Sequence, residues 1–191
     1  MDQANALFEA IARDDAPALE AVLARAPGLI EARGPQGETP LLAAIYRRAW
    51  HAAERLLAAG ARHDVFTAAA TGDVAILPAL LEADPAAARS WSADGWTPLH
   101  LAAFFGHPDA ARQILDHGAD LRARAKNVND NEPLHAAAVE GRADVVALLL
   151  ARGADPDAVA GGGYTALMLA AANDHAATVD VLLARGARTD L

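Results

Sequence analysis

Apolar positions along this chain fall into paired blocks, an alanine-rich block followed by a leucine-rich one, with glycine or a small polar cluster after each. In the first block of a pair, Ala102-Ala103, Ala137-Ala138 and Ala170-Ala171 recur at matching places. Alanine there lets a neighbouring helix approach to the near end of the usual spacing of about 8–10 Å. The second block carries its stripe in pairs such as Leu56-Leu57, Ile114-Leu115 and Leu149-Leu150, the mark of a helix with one buried face. Aromatic residues make up only 5% of the chain and alanine supplies much of its apolar share. Strands would want more Val, Ile, Tyr and Phe, so the pattern predicts an all-α class.

Polar punctuation places the helix ends. Thr39, Thr97 and Thr165 stand where an N-cap hydroxyl accepts an early backbone N–H, and Pro40 and Pro98 then occupy the first helical position, where a missing N–H costs nothing. Gly72, Gly106 and Gly141 close the first helix as left-handed caps; Gly60, Gly118, Gly153 and Gly186 close the second. One such helical hairpin cannot bury both its faces, so it must stack on copies of itself. The copies are present. Segments starting at Gly37, Gly95, Asp130 and Gly163 align without gaps, and Leu41, Leu99, Leu134 and Leu167 precede the terminal glycines by the same interval. Two weaker copies starting at Leu7 and Val65 bring the number to six.

The run "TPLH.AA", the glycine between helices and "LL..GAD" before the next loop, recurring in register, resemble the ankyrin repeat family. The resemblance covers nearly the whole chain. It implies an ankyrin solenoid of six helix-turn-helix repeats joined by short β-hairpin loops. These form a single domain over 1–191, with repeats near 4–33, 34–62, 63–91, 92–124, 125–159 and 160–191. It also implies a scaffold that holds another protein on its concave surface rather than an enzyme, with a structural or self-associating subunit as the alternative. Four residues depart from the pattern: Glu132 replaces the capping Thr, Ala166 the proline, Arg48 the inter-helix glycine and Asp84 the terminal glycine.

Repeat starts are unevenly spaced. Leu7 to Leu41 and Val65 to Leu99 are each 34 residues, whereas Leu41 to Val65 is 24. Gly60 to Asp64 therefore runs straight into the next helix with no room for a hairpin finger, so the row of fingers is expected to have a gap there. A shift of 58 residues superposes repeats one and two on three and four, pairing Phe8 with Phe66 and Pro27 with Pro85, as a duplicated two-repeat unit would. Both ends read as polar caps that complete the array: Glu9 stands where repeat four has Leu101, and Thr178 and Asp180 where repeat five has Val145 and Ala147.

Composition narrows the function. The formal charge of −9 repels phosphate backbones, which argues against nucleic acid as a partner. With no cysteine, disulfides, thiolate metal sites and cysteine nucleophiles are excluded. The opening Met1-Asp2-Gln3-Ala4-Asn5 has no basic n-region and no apolar run approaches a membrane span, so a cytoplasmic monomer without membrane contact is expected. No cofactor is expected. His100 and His135 recur at one position in the repeat and read as structural, each ring bonding back to the cap residue's backbone, about 10 Å from its neighbour and too far to share a metal. His107 and His175 read as turn residues, and Gly161-Gly162-Gly163 as a hairpin tip with no Lys-Ser/Thr to complete a phosphate cradle. No acid, base and nucleophile converge.

The aromatics give the pointed signal. Carried over from the family, the concave surface is formed by fingertips and by positions late in the first helix. These positions hold Trp96, Phe104 and Phe105 in repeat four, Tyr46 with Arg47 in repeat two, and Tyr164 in repeat six. These six are the expected partner-binding residues; Trp50 and Trp91 fall elsewhere and read as packing residues.

Overall fold

The computed structural model describes residues 3–191; Met1 and Asp2, part of the acidic opening noted above, lie outside the described residues. Among the described residues twelve α-helices follow one another in six pairs. They are α1 (Gln3–Ala12), α2 (Ala16–Arg25), α3 (Pro40–Tyr46), α4 (Trp50–Ala58), α5 (Val65–Thr71), α6 (Leu77–Ala83), α7 (Pro98–Phe105), α8 (Pro108–Asp116), α9 (Pro133–Val139), α10 (Ala143–Ala151), α11 (Ala166–Ala172) and α12 (Ala176–Ala184). The threonine caps act as their positions require. Thr39 Oγ1 accepts from the Leu42 N–H at 3.2 Å, and Thr97 and Thr165 accept from His100 and Met168 at 3.3 Å.

The chain divides into two compact units, residues 1–67 and 68–191. In the first, α1 packs on α2 and α3, and α2 on α4, around the fully buried Leu7, Ile11, Leu19, Leu41, Ile45 and Leu56. In the second, first helices pack on first helices (α7 on α9, α9 on α11) and second helices on second (α6 on α8, α8 on α10, α10 on α12). This is the two-layer stacking of a solenoid. Its core includes Leu99, Leu101, Ile114, Leu134 and Leu149, with Ala102, Ala103, Ala137 and Ala138 buried where the first helices meet.

The connecting fingers are turns rather than β-hairpins. Their ends are joined by backbone bonds, Gly34 N–H to Glu38 O at 2.9 Å, Ser92 to Trp96 at 2.8 Å, Ala125 to Asn131 at 2.9 Å and Ala160 to Tyr164 at 2.9 Å. The described residues contain no strand, only an isolated antiparallel bridge between Val159 and Thr165. The reason is that finger backbone groups bond the neighbouring finger: Lys126 N–H donates to Gly95 O at 2.8 Å and Gly161 N–H to Asn129 O at 3.0 Å. Residues 61–64 carry no turn of this kind. Asp64 caps α5 instead, its carboxylate accepting from the Thr67 N–H at 2.7 Å and its own N–H donating to Thr67 Oγ1 at 2.8 Å.

Three further departures have local causes. Asp14, Arg48 and Asp174 take the left-handed conformation between helices (φ 51°, 55° and 57°) that Gly72, Gly106 and Gly141 take in the other repeats. Asp84 stands extended at the end of α6 and is followed by a 3₁₀ turn over Ala87–Arg89; Ala26 and the 3₁₀ turn Pro27–Glu31 repeat that arrangement after α2. Thr178, expected on a polar end face, is fully buried with no hydrogen-bond partner for its hydroxyl, so only Asp180 of that pair meets solvent. The α12 register turns position 178 inward as it turns Val145 inward in α10.

His107 and His175 are more than turn residues. Each Nε2 donates to a carbonyl of the preceding repeat, Ala70 O at 3.0 Å and Val139 O at 3.1 Å, and Arg142 Nε donates likewise to Phe104 O at 3.0 Å. A Cβ added at Gly72 would stand 2.5 Å from the His107 ring, and one at Gly141 2.6 Å from that of His175. Glycine is needed there for the close approach as well as for its positive φ.

Candidate partner-binding groove

The finger Ser92–Trp96 sets the first wall. Ser92 Oγ accepts the Trp96 N–H at 3.0 Å, holding Trp96 just ahead of the α7 cap. From there its indole lies 5.8 Å from the His100 ring and 5.1 Å from Phe104, edge to face, and Phe104 meets Phe105 edge to face at 5.2 Å. These are favourable aromatic geometries, so the three large rings are half-buried rather than loose on the surface.

Below them the two repeated histidines brace the fingers. Thr97 N–H donates to His100 Nδ1 (3.4 Å), leaving Nε2 to donate to Asn131 O at 2.9 Å in the next finger. In the next repeat, Glu132 N–H donates to His135 Nδ1 (3.2 Å) and Nε2 donates to Ala158 O at 2.8 Å. The bond back to the cap was legible from the sequence; the bond onward was not. Burial pushes His100 down to about 4 and also lowers His135, so both rings are neutral at physiological pH. With both nitrogens engaged by backbone, neither ring offers a metal ligand.

A groove of about 480 Å³ opens above this brace, walled by Trp96, Phe104, Val128, Tyr164 and Leu169, with Asn131 in its lining. Three of the six expected residues, Trp96, Phe104 and Tyr164, are brought together in it. Phe105 backs Phe104 without lining the groove. Tyr46 and Arg47 belong to the first unit, where Tyr46 is half-buried and Arg47 is exposed beside a separate hollow lined by Phe8, Arg33 and Pro35.

Sequence reasoning missed Val128 and Asn131. Val128 is 97% exposed at its fingertip, and a lone valine between two asparagines was the available signal. Asn131 is buried, yet its Oδ1 has no hydrogen-bond partner. Glu132 beside it, in the place of the capping threonine, is also buried with Oε2 unpartnered, and desolvation raises its pKa.

Trp50 and Trp91 are not packing residues. Trp50 is 52% exposed at the start of α4, where the stripe of the helix faces away from it. Trp91 is 39% exposed; its indole N–H donates to Arg124 O at 3.2 Å and Lys126 Nζ sits 3.5 Å above its ring, so a cation from the next finger covers one face.

The family model for ankyrin repeats (three copies) matches residues 65–160 and 123–191, about two thirds of the chain. The chain belongs to the ankyrin repeat family. It is also 43% identical over 60 residues to a probable E3 ubiquitin-protein ligase, XBOS31, of Oryza sativa subsp. japonica. That match takes in 31% of this chain and 14% of the length of that relative. Ankyrin repeats imply protein–protein interaction, and the family is typically non-enzymatic. No helix among the described residues is long and apolar enough to cross a membrane.

Proposed function

We propose that this ankyrin repeat protein is a scaffold that binds another protein on the concave side of its fingers, through the groove at Trp96, Phe104 and Tyr164, with Phe105 in support. Tyr46 and Arg47 are a separate set of partner contacts, within the first unit. The protein acts as a cytoplasmic monomer without catalysis or cofactor. One observation carries the reading: in a unit whose core is built from alanine and leucine, aromatic rings line a single groove beside a fully exposed valine. Interface energy concentrates on such anchors.

The test is binding of the native partner by Trp96→Ala and by the Phe104→Ala, Phe105→Ala double variant. Each is expected to weaken binding by about 2 kcal/mol or more. The contacts of Trp96 with His100 and Phe104 place its folding cost at about 1–2 kcal/mol, higher than a bare fingertip would give. Unchanged binding in both variants moves the site off this groove. The self-associating alternative draws on the exposed Trp50 and Leu57 of α4, and light scattering on the Trp50→Ala variant checks it.

A further inference from the structure

Two features of the groove are unaccounted for by folding. Val128 and Tyr164, 97% and 54% exposed, leave apolar surface uncovered at its rim. In its lining Asn131, 8% exposed, has a side-chain oxygen removed from water without any donor to replace it. A buried acceptor left bare loses its hydration with nothing to offset the loss. We infer that the groove receives an extended peptide segment of the partner, whose backbone N–H donates to Asn131 Oδ1 while an uncharged apolar side chain of the segment sits between Trp96, Phe104 and Tyr164. This rests on the function proposed above and names the partner's chemistry.

The charges choose among peptides. Asp130 and Glu140, which flank lining residues in the chain, are each held by an arginine: Arg124 Nε to Asp130 at 2.7 Å and Arg142 to Glu140 at 3.4 Å. The groove itself therefore suits a neutral residue. Beyond it, residues 68–191 carry sixteen Asp and Glu against nine Lys and Arg. That excess favours basic residues on either side of the seated one, chiefly by steering association. A carboxamide lining apolar walls suits a peptide bond because its oxygen can accept the backbone N–H while its NH2 can donate to a backbone carbonyl.

The experiment uses the full chain and an array of twelve-residue synthetic peptides with a central Leu, Phe or Tyr. Flanks are Lys/Arg or Asp/Glu, a Ser-centred set serves as control, and the best binder is remade with its central amide N-methylated. The basic apolar set is expected to bind, the acidic and Ser-centred sets to bind at least tenfold more weakly, and N-methylation and Asn131→Ala each to cost about tenfold, with melting curves showing Asn131→Ala folded. Equal binding of acidic and basic sets, indifference to both N-methylation and Asn131→Ala, or a second copy of the chain seated in the groove would each overturn the inference. Loss of native-partner binding in Trp96→Ala with no peptide retained would sink the inference and leave the function standing. Native-partner binding indifferent to Trp96 and Phe104 would remove both.

Discussion

The two units hold their repeats together by different chemistry. In residues 1–67 the polar link from the turn after α1 to α4 lies at the surface: Asp14 accepts from the Ala52 N–H at 2.8 Å and meets His51 Nδ1 at 2.7 Å, with the His51 side chain 78% exposed. In residues 68–191, beside the half-buried His107, His175 and Arg142, two links are fully buried imidazoles spending both nitrogens on backbone, His100 and His135, each 0% exposed. At the third helical position, where α7 and α9 place these rings, α3 has Leu42. An exposed acid–histidine contact is screened and adjustable, whereas a buried neutral ring fixes the distance between successive fingers and fails if it must take a charge. The groove occurs where the second kind of link sets finger against finger.

The largest expected effect tests whether both units rest equally on apolar packing. Leu149→Ala and Leu56→Ala, each truncating a fully buried side chain, are expected to cost about 2–5 kcal/mol by urea unfolding. A cost below about half a kcal/mol at either site would mean the helical register is misassigned there.

Acidification should separate the two kinds of link. His100 has its folded pKa lowered from 6.5 to about 4, so the unfolded chain binds the extra proton first. The stability this neutral ring contributes is complete above about pH 6.5 and is lost as pH falls toward 4, by on the order of 3 kcal/mol. Glu132, whose pKa is raised by desolvation, works in the opposite sense, because protonation relieves its burial as pH falls. Stability of His100→Gln measured between pH 7 and 4 should be flatter than that of the parent, and parallel slopes would dismiss the imidazole as the cause.

Removing the rings at neutral pH sharpens the contrast. His100→Ala strands the Asn131 carbonyl and the Thr97 N–H and should cost about 1–3 kcal/mol, while His51→Ala should leave the unfolding midpoint unmoved within error. Similar losses for the two would show that burial is not what distinguishes them.

The smallest effect concerns Thr178. Its buried hydroxyl has no partner, so Thr178→Val is expected to be neutral or to stabilise by up to about 1 kcal/mol in thermal unfolding. A clear destabilisation would reveal a partner for that hydroxyl.

What could be read in advance follows the range of each interaction. Thr39, Thr97 and Thr165 bond three residues away and Gly106 needs its positive φ locally, so the sequence exposes these roles directly. Trp96, Phe104 and Tyr164 were placed by repeat register, which carries a position from one copy to the next. Register says nothing about which loop group lies opposite. His100 ends on a carbonyl 31 residues on, and His107 on one 37 residues back; both depend on how closely successive repeats approach. Trp91 was misjudged for the same reason, since its cover is a lysine 35 residues later rather than the core. Asn131 was invisible because an unpartnered atom leaves no pattern.

The glycine seats bear on how such a chain can lengthen. Gly106 receives Arg142 from the repeat after it, and the adjoining His107 enters the seat at Gly72 in the repeat before it, so neighbouring residues carry the fitting for both directions. A tandem duplication of that repeat would present each copy with a mate it already fits, and recombination could insert it without a second mutation. The corresponding pairs in the first unit are Asp14-Asp15 and Arg48-Ala49, where a side chain stands at the left-handed position in place of the open glycine seat. Growth by copying is therefore structurally cheap in residues 68–191, where each new repeat would also bring another finger and another stretch of surface on which selection can act.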